Sequence, residues 1–119
     1  MFRKSSLLLA AAAALAFAPL AAAGSGNTVS VMGSSPDDRG GYTTKRIVVS
    51  YADLDVSGEA GASALLERIK SAAVRICGTD GHGYTLRRKQ ANCQARTIDK
   101  AVASMESPQL TRLAAEAKN

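Results

Sequence analysis

Tryptophan is absent from this 119-residue chain, aromatic residues make up 4% of it, and histidine occurs once. The scarcity of aromatic side chains removes the stacking platforms on which proteins bind single-stranded nucleic acid. One histidine and two cysteines supply too few ligands for a zinc-type site. After the first 23 residues, no apolar run reaches the ~20 residues that a membrane-spanning helix needs. We therefore expect no nucleic acid as a partner and no membrane span in the mature protein.

The first 23 residues have the three parts of a secretory signal peptide. Arg3 and Lys4 form a positive start, residues 7–20 form an apolar run, and alanines at 21–23 supply the small residues of a cleavage site. The alternative is a retained membrane anchor, but a run of roughly 14 residues is too short to span a bilayer. We predict cleavage before Gly24 and export, with the periplasm as the expected compartment and secretion as the alternative.

Removal of this signal peptide lowers the net charge. The whole chain has 15 basic and 10 acidic side chains and a formal charge of +5. Without Arg3 and Lys4, 13 basic and 10 acidic side chains remain, a charge of +3. Such a modest excess gives little support for binding to nucleic acid or to an anionic membrane.

Both cysteines, Cys77 and Cys93, lie in the mature part of the chain. Two cysteines in an oxidising compartment have one intramolecular pairing, so we predict a disulfide bond between them. Closing a loop of this size stabilises a domain by about 3 kcal/mol in the chain-entropy account. The alternative is a pair of metal ligands, for which His82 alone supplies too little further coordination.

Residues 24–44 are rich in Gly, Ser, Asn, Asp and Pro, which predicts a flexible leader ahead of a small domain at residues 45–119. Within this leader, only residues 28–31 (TVSV) alternate as a weak strand does. We expect one domain in the mature protein, because the chain is too short for two.

The clearest strand is predicted at residues 46–51 (RIVVSY), with Ile47, Val49 and Tyr51 on one face. A lone strand leaves its backbone groups unpaired, so it needs a neighbour. That neighbour is either residues 28–31 or a second molecule. The second choice predicts self-association, or the addition of a client peptide, through the strand at residues 47–51.

A helix is predicted after Ser57, a good N-cap, with Glu59 in its first turn and Gly78 at its end. A second helix is predicted at residues 90–106, after a glycine-rich loop at 78–89. The expected fold is α+β: a strand or hairpin, an antiparallel helical hairpin tied by the disulfide, and a short C-terminal helix from Ser107-Pro108. The apolar stripe of the first helix comprises Ala62, Leu65, Leu66, Ile69, Ala72, Ala73 and Ile76.

Three groups of polar residues are candidates for chemistry. Asp53, Asp55 and Glu59 could bind a hard cation through oxygen atoms, although aspartates before a helix usually form caps and turns. His82 could act as a base oriented by Asp80, but no motif supplies a nucleophile. We therefore predict no catalytic residues.

The third group is the basic run Arg87, Arg88 and Lys89, which could bind a phosphate, an anionic lipid or an acidic polymer. The alternative is that the run forms a solvated turn.

A set of residues from the predicted strand to the last helix stands in a characteristic arrangement: Tyr51, Asp53, Leu54, Asp55, Ser57, Gly61, Leu65, Arg68, Ile69, Ala72, Ala73, Cys77, Gly78, Cys93, Ala101, Val102, Ser107, Pro108 and Leu110. In this arrangement the chain resembles the UrcA family of small exported bacterial proteins over residues 47–113. The resemblance implies an exported protein with a signal peptide and a cysteine pair. It implies no assigned activity and no catalytic residues, and the metal-response association behind the family's name does not imply a metal site.

We interpret the chain as an exported binding or interaction protein, or an envelope-stress protein, that is not an enzyme and needs no cofactor. Its partner is not identified by the sequence. The alternative function is metal binding in a metal-stress response, through the group Asp53, Asp55 and Glu59.

Overall fold

Two antiparallel strands and three helices follow one another along the chain. The computed structural model describes residues 26–118. Strand β1 spans Thr28–Pro36 and β2 spans Tyr42–Ser50, and they are followed by helices α1 (Glu59–Cys77), α2 (Tyr84–Met105) and α3 (Pro108–Glu116). The predicted signal peptide lies outside the described residues. This order confirms the predicted α+β class.

The strands form a hairpin that packs one face against the helices. Val29 pairs with Val49 and Val31 pairs with Ile47. The three valines are buried in the core, whereas Ser30, between the first two, is exposed on the other face. The two faces alternate because successive side chains of a strand point in opposite directions. The partner predicted within the chain for the strand at residues 46–51 is therefore confirmed.

Strand β1 is longer than the sequence indicated, and the flexible leader predicted over residues 24–44 is corrected for residues 28–44. Most of these residues belong to the hairpin, so the folded part begins near residue 28 and not at 45. The composition misled because Gly33 has a packing role: a Cβ here would overlap Oγ1 of Thr97 on α2. The glycine allows strand and helix to approach closely without an apolar side chain between them.

Helix α1 supplies the centre of the core. Gly58 is its N-cap and not Ser57, because the Ser57 hydroxyl donates to the Asp55 carboxylate instead. Gly78 ends the helix at φ +78°, as predicted. The predicted apolar stripe is confirmed, since all seven of its residues are buried: Ala62, Leu65, Leu66, Ile69, Ala72, Ala73 and Ile76.

Helix α2 begins at Tyr84 and not at Gln90. The predicted glycine-rich loop shrinks because Leu86 and the three basic residues after it are good helix formers. Ala91 and Ala95 of this helix are exposed. The buried residues of α2 include two polar ones and are Gln90, Cys93, Thr97, Ala101 and Val102.

The predicted disulfide between Cys77 and Cys93 is present, with 5.7 Å between the two Cα atoms. Both residues are buried, and the bond joins the end of α1 to the middle of α2. Helix α3 begins as predicted, with the Ser107 side chain accepting a hydrogen bond from the N–H of Leu110. Within residues 26–118, no helix is both long and apolar enough to cross a membrane.

Candidate functional site

The segment between β2 and α1, which we call the acidic turn (residues 53–57), is held by an ion pair with α1. Arg68 places Nη1 2.8 Å from Oδ1 of Asp53 and Nη2 2.6 Å from Oδ2. The same Nη1 also donates to the carbonyl oxygen of Ser50, at 2.9 Å. Hydrogen bonds from Arg68 lower the pKa of Asp53 from 3.8 to about 2, and the carboxylate in turn raises the pKa of Arg68.

Asp55 is also occupied within the acidic turn. Its carboxylate accepts from both the hydroxyl and the backbone N–H of Ser57, and these bonds lower the pKa of Asp55. The turn packs closely against α1 at Gly61. A Cβ on this glycine would overlap the backbone carbonyl of Asp55. These are the contacts of a structural turn.

The acidic turn does not form the metal site that the sequence suggested. The Asp53 carboxylate faces Arg68 and the Asp55 carboxylate faces Ser57. Over residues 26–118, no group of three or more His, Cys, Asp and Glu side chains is placed to hold a metal ion. The hypothesis that Asp53, Asp55 and Glu59 act together as ligands is therefore corrected.

His82 lies in the short loop before α2, beside the turn of the hairpin. It lines a shallow pocket with Asp37 and Asp38. Asp37 is engaged by its own turn, where its carboxylate accepts from the N–H groups of Arg39 and Gly41. No hydrogen bond between His82 and Asp80 is found among the described residues, so the pair needed for base catalysis is not formed.

The basic run Arg87, Arg88 and Lys89 lies in the first turns of α2 and not in a loop. Successive residues of a helix point about 100° apart, so the three side chains leave the helix in different directions. The run is therefore not a single patch. Of the three, Lys89 alone lines a groove between α2 and β1.

This groove, which we call the basic groove, lies between α2 and β1 and has a volume of about 420 Å³. Its cations are Lys89, Arg96 and Lys100, which share one face of α2 because they stand at i, i+7 and i+11. Its remaining lining residues, none of them acidic, are Met32, Gly33, Ser34, Tyr42, Asn92, Cys93 and Thr97.

The three cations of the basic groove have no acidic partner among residues 26–118. The four ion pairs of this part of the chain join other residues. Arg96 donates from Nε to the carbonyl oxygen of Asn92 in its own helix, at 3.4 Å, which leaves its charge uncompensated. The sequence run had identified Lys89 only. Helical spacing of the basic residues could have identified all three, but not the strand that faces them.

The groove depends on the close packing of β1 against α2. Thr97 lies below Gly33, and its buried hydroxyl is 3.6 Å from Sγ of Cys77 and 4.0 Å from Sγ of Cys93. The disulfide thus lies beneath the groove and fixes α2 relative to α1. A larger residue at position 33 would push β1 away from the cations.

Strand β2 has β1 as its one strand neighbour among the described residues. Tyr51 donates its N–H to the carbonyl of Asn27. Because hydrogen-bonded pairs alternate along an antiparallel ladder, the odd-numbered residues of β2 bond to β1. Residues 42, 44, 46, 48 and 50 therefore direct their N–H and C=O groups to the outer edge. Arg68 occupies one end of this edge through the carbonyl of Ser50.

Comparison with known proteins adds no relative. No model of a known protein family matches the chain, and neither a curated protein nor a solved structure is significantly similar to it.

Proposed function

We propose that this chain is an exported binding protein without enzymatic activity, and that its ligand is an anion held in the basic groove. The observation that carries the proposal is the placement of Lys89, Arg96 and Lys100 around one concave surface with no acidic residue in its walls. A concave site lined by positive charge alone raises the local concentration of an anion and the rate at which the anion associates. A role in envelope stress is compatible with such binding.

Export and family membership are parts of the same proposal. The signal-peptide pattern of residues 1–23 supports export, and a buried disulfide persists best in an oxidising compartment. The resemblance of residues 47–113 supports membership of the UrcA family. Intact mass of protein from the periplasmic fraction is expected to give a chain that begins at Gly24 with no free thiol. The mass of the whole chain, or two alkylated cysteines, would contradict export with a disulfide.

Anion binding is tested by titration calorimetry at low ionic strength with inorganic phosphate, citrate, galacturonate and oligogalacturonate. At least one of these anions is expected to bind, and more weakly as salt is added. Arg96→Gln should weaken this binding several-fold. Arg88→Gln is the matched control, because it removes the same charge from the same helix outside the groove.

Two results would contradict this function. One is that none of the four anions binds. The other is that Arg88→Gln weakens binding as much as Arg96→Gln does, because the attraction would then come from net charge and not from the groove.

A second candidate is interaction through the outer edge of β2, with a second copy or a peptide as the added strand. The observation that favours it is the absence of a strand partner on this edge among the described residues. Against a second copy, Lys45 and Arg46 place positive charge near the middle of the strand, where a paired copy would bring like charges together. Sedimentation at high concentration is therefore expected to give a monomer. A dimer would favour this candidate instead if Val48→Pro, which removes an N–H from the outer edge, abolishes it.

A further inference from the structure

The cations of the basic groove are spread along α2. Arg96 stands seven positions after Lys89, and Lys100 stands four positions after Arg96. At the helical rise of 1.5 Å per residue, these steps are about 10 Å and about 6 Å along the axis. The three charges therefore form a row about 16 Å long, parallel to α2 and facing β1.

This row is too long for one small anion. Hydrogen bonds between charged groups need their heavy atoms within about 3 Å of each other. Side chains of a helix lean toward its N-terminus and not toward one another, so the charges of Lys89 and Lys100 stay about as far apart along the axis as their Cα atoms. A ligand that engages all three cations must itself be extended and must carry several negative charges.

The walls of the groove favour one class of polyanion. A single nucleic-acid strand is usually bound on several stacked aromatic rings. The groove has one aromatic residue, Tyr42, which is 60% exposed. Ser34 and Asn92 add a hydroxyl and an amide that can bond to sugar hydroxyls.

From this geometry we propose that the basic groove binds a linear anionic glycan that lies along α2, with acidic sugars at Lys89, Arg96 and Lys100. The inference rests on the proposed function, because it specifies the class of anion that the groove binds. The acidic group is a carboxylate or a sulfate, both of which accept hydrogen bonds from lysine and arginine. Tyr42, in the lining of the same groove, offers a ring on which a sugar can pack.

The test is a chain-length series on the protein with its disulfide intact. The probes are galacturonate, oligogalacturonates of increasing length, chondroitin sulfate oligosaccharides and a single-stranded oligodeoxynucleotide of equal charge. Affinity for the glycans is expected to rise with length and then to level off once the chain spans about 16 Å, the length of eleven helical residues. The carboxylate and sulfate series together identify the preferred acidic group.

Single substitutions test whether the glycan binds in the basic groove. Arg96→Gln is expected to lower the affinity for the longest glycan about tenfold. It should also reduce the slope of log affinity against log salt concentration by about one. Tyr42→Ala should lower the affinity for glycans and leave its dependence on salt concentration unchanged, because the substitution removes a ring and no charge. Arg88→Gln should leave both affinity and slope unchanged.

The outcomes separate this inference from the proposed function. If galacturonate binds as tightly as its long oligomers, the groove binds an anion but not an extended glycan, and the inference is overturned. Tighter binding of the oligodeoxynucleotide than of either glycan series would overturn it as well. If no anion binds at all, the proposed function fails together with the inference.

Discussion

The acidic turn and the basic groove are both rich in charge, but their charges are used differently. In the turn, Asp53 faces Arg68 and Asp55 faces Ser57 at hydrogen-bonding distance. In the groove, Lys89, Arg96 and Lys100 have no acidic partner among residues 26–118. The sequence offered the turn as a candidate site, whereas of the groove it offered only Lys89, as part of a basic run. The difference in partners assigns the turn to the fold and leaves the groove available for a ligand.

The two regions should therefore respond differently to substitution. In the turn, removal of a charge breaks native hydrogen bonds, so stability should fall. In the groove, Arg96 and Lys100 are like charges at i and i+4, which destabilise a helix slightly. Removal of one of them should therefore leave stability the same or slightly higher, and its main effect should be on ligand binding.

The largest expected effect concerns the disulfide beneath the groove. Reduction of the Cys77–Cys93 bond should lower the free energy of unfolding by about 3 kcal/mol, because the unfolded chain gains the freedom of the opened loop. Urea unfolding with and without a reductant measures this difference. The variant with both Cys77→Ser and Cys93→Ser should be insensitive to the reductant. Equal midpoints for the oxidised and reduced protein would show that the bond contributes little.

The next effect concerns the fit of the acidic turn on α1. Gly61→Ala should destabilise the protein by about 2 kcal/mol, because the new Cβ overlaps the Asp55 carbonyl. Gly58→Ala, at the N-cap of α1, is the matched control, since a Cβ there meets Asp55 only at ordinary contact distance, 3.6 Å. It should cost about 1 kcal/mol or less. Similar urea midpoints for the two variants would contradict the tight packing of the turn.

A smaller effect is a pH dependence that belongs to the turn. Since the pKa of Asp53 is lowered in the folded state to about 2, its ion pair stabilises the protein fully above the unfolded pKa. This stability is lost as the pH falls from about 4 to about 2. The melting temperature should therefore fall less steeply over this range in Asp53→Asn.

Arg68, the partner of Asp53, provides the control for this pH dependence. Arg68→Gln should flatten the same acidic limb, and the double variant should behave as either single variant does, because both substitutions remove one interaction. Unchanged acidic limbs in both single variants would show that the ion pair does not stabilise the fold.

The smallest effect on stability is expected in the groove. Arg96→Gln should change the free energy of unfolding by less than about 0.5 kcal/mol, because its side chain is exposed and has no acidic partner in the described part of the chain. Urea unfolding of this variant beside Arg88→Gln measures the difference. A substantial loss of stability in Arg96→Gln alone would mean that Arg96 is part of the fold, and the contrast between the two regions would disappear.

Sequence patterns predicted the parts of the fold that depend on local periodicity. The stripe of α1, the C-cap at Gly78, the N-cap at Ser107 and the Cys77–Cys93 bond were all predicted. Strand β1 was underestimated because Gly33 contributes by letting Thr97 approach, an interaction that composition does not reveal.

The candidate site was harder to predict because it forms between elements distant in sequence. Arg68 pairs with Asp53 across 15 residues, so the carboxylates alone suggested a metal site. Lys89 was identified in a run whose other members point elsewhere on α2. The groove also requires β1 to lie beside α2, which no local pattern of the helix indicates.

The central claim is that partnered charges maintain the fold and unpartnered charges bind the ligand. The most direct test measures melting temperature and oligogalacturonate affinity for Arg68→Gln and Arg96→Gln side by side. Arg68→Gln is expected to lower the melting temperature and keep the affinity, whereas Arg96→Gln is expected to keep the melting temperature and lose affinity about tenfold. If both variants lose stability and affinity together, or if the pattern is reversed, the account is wrong.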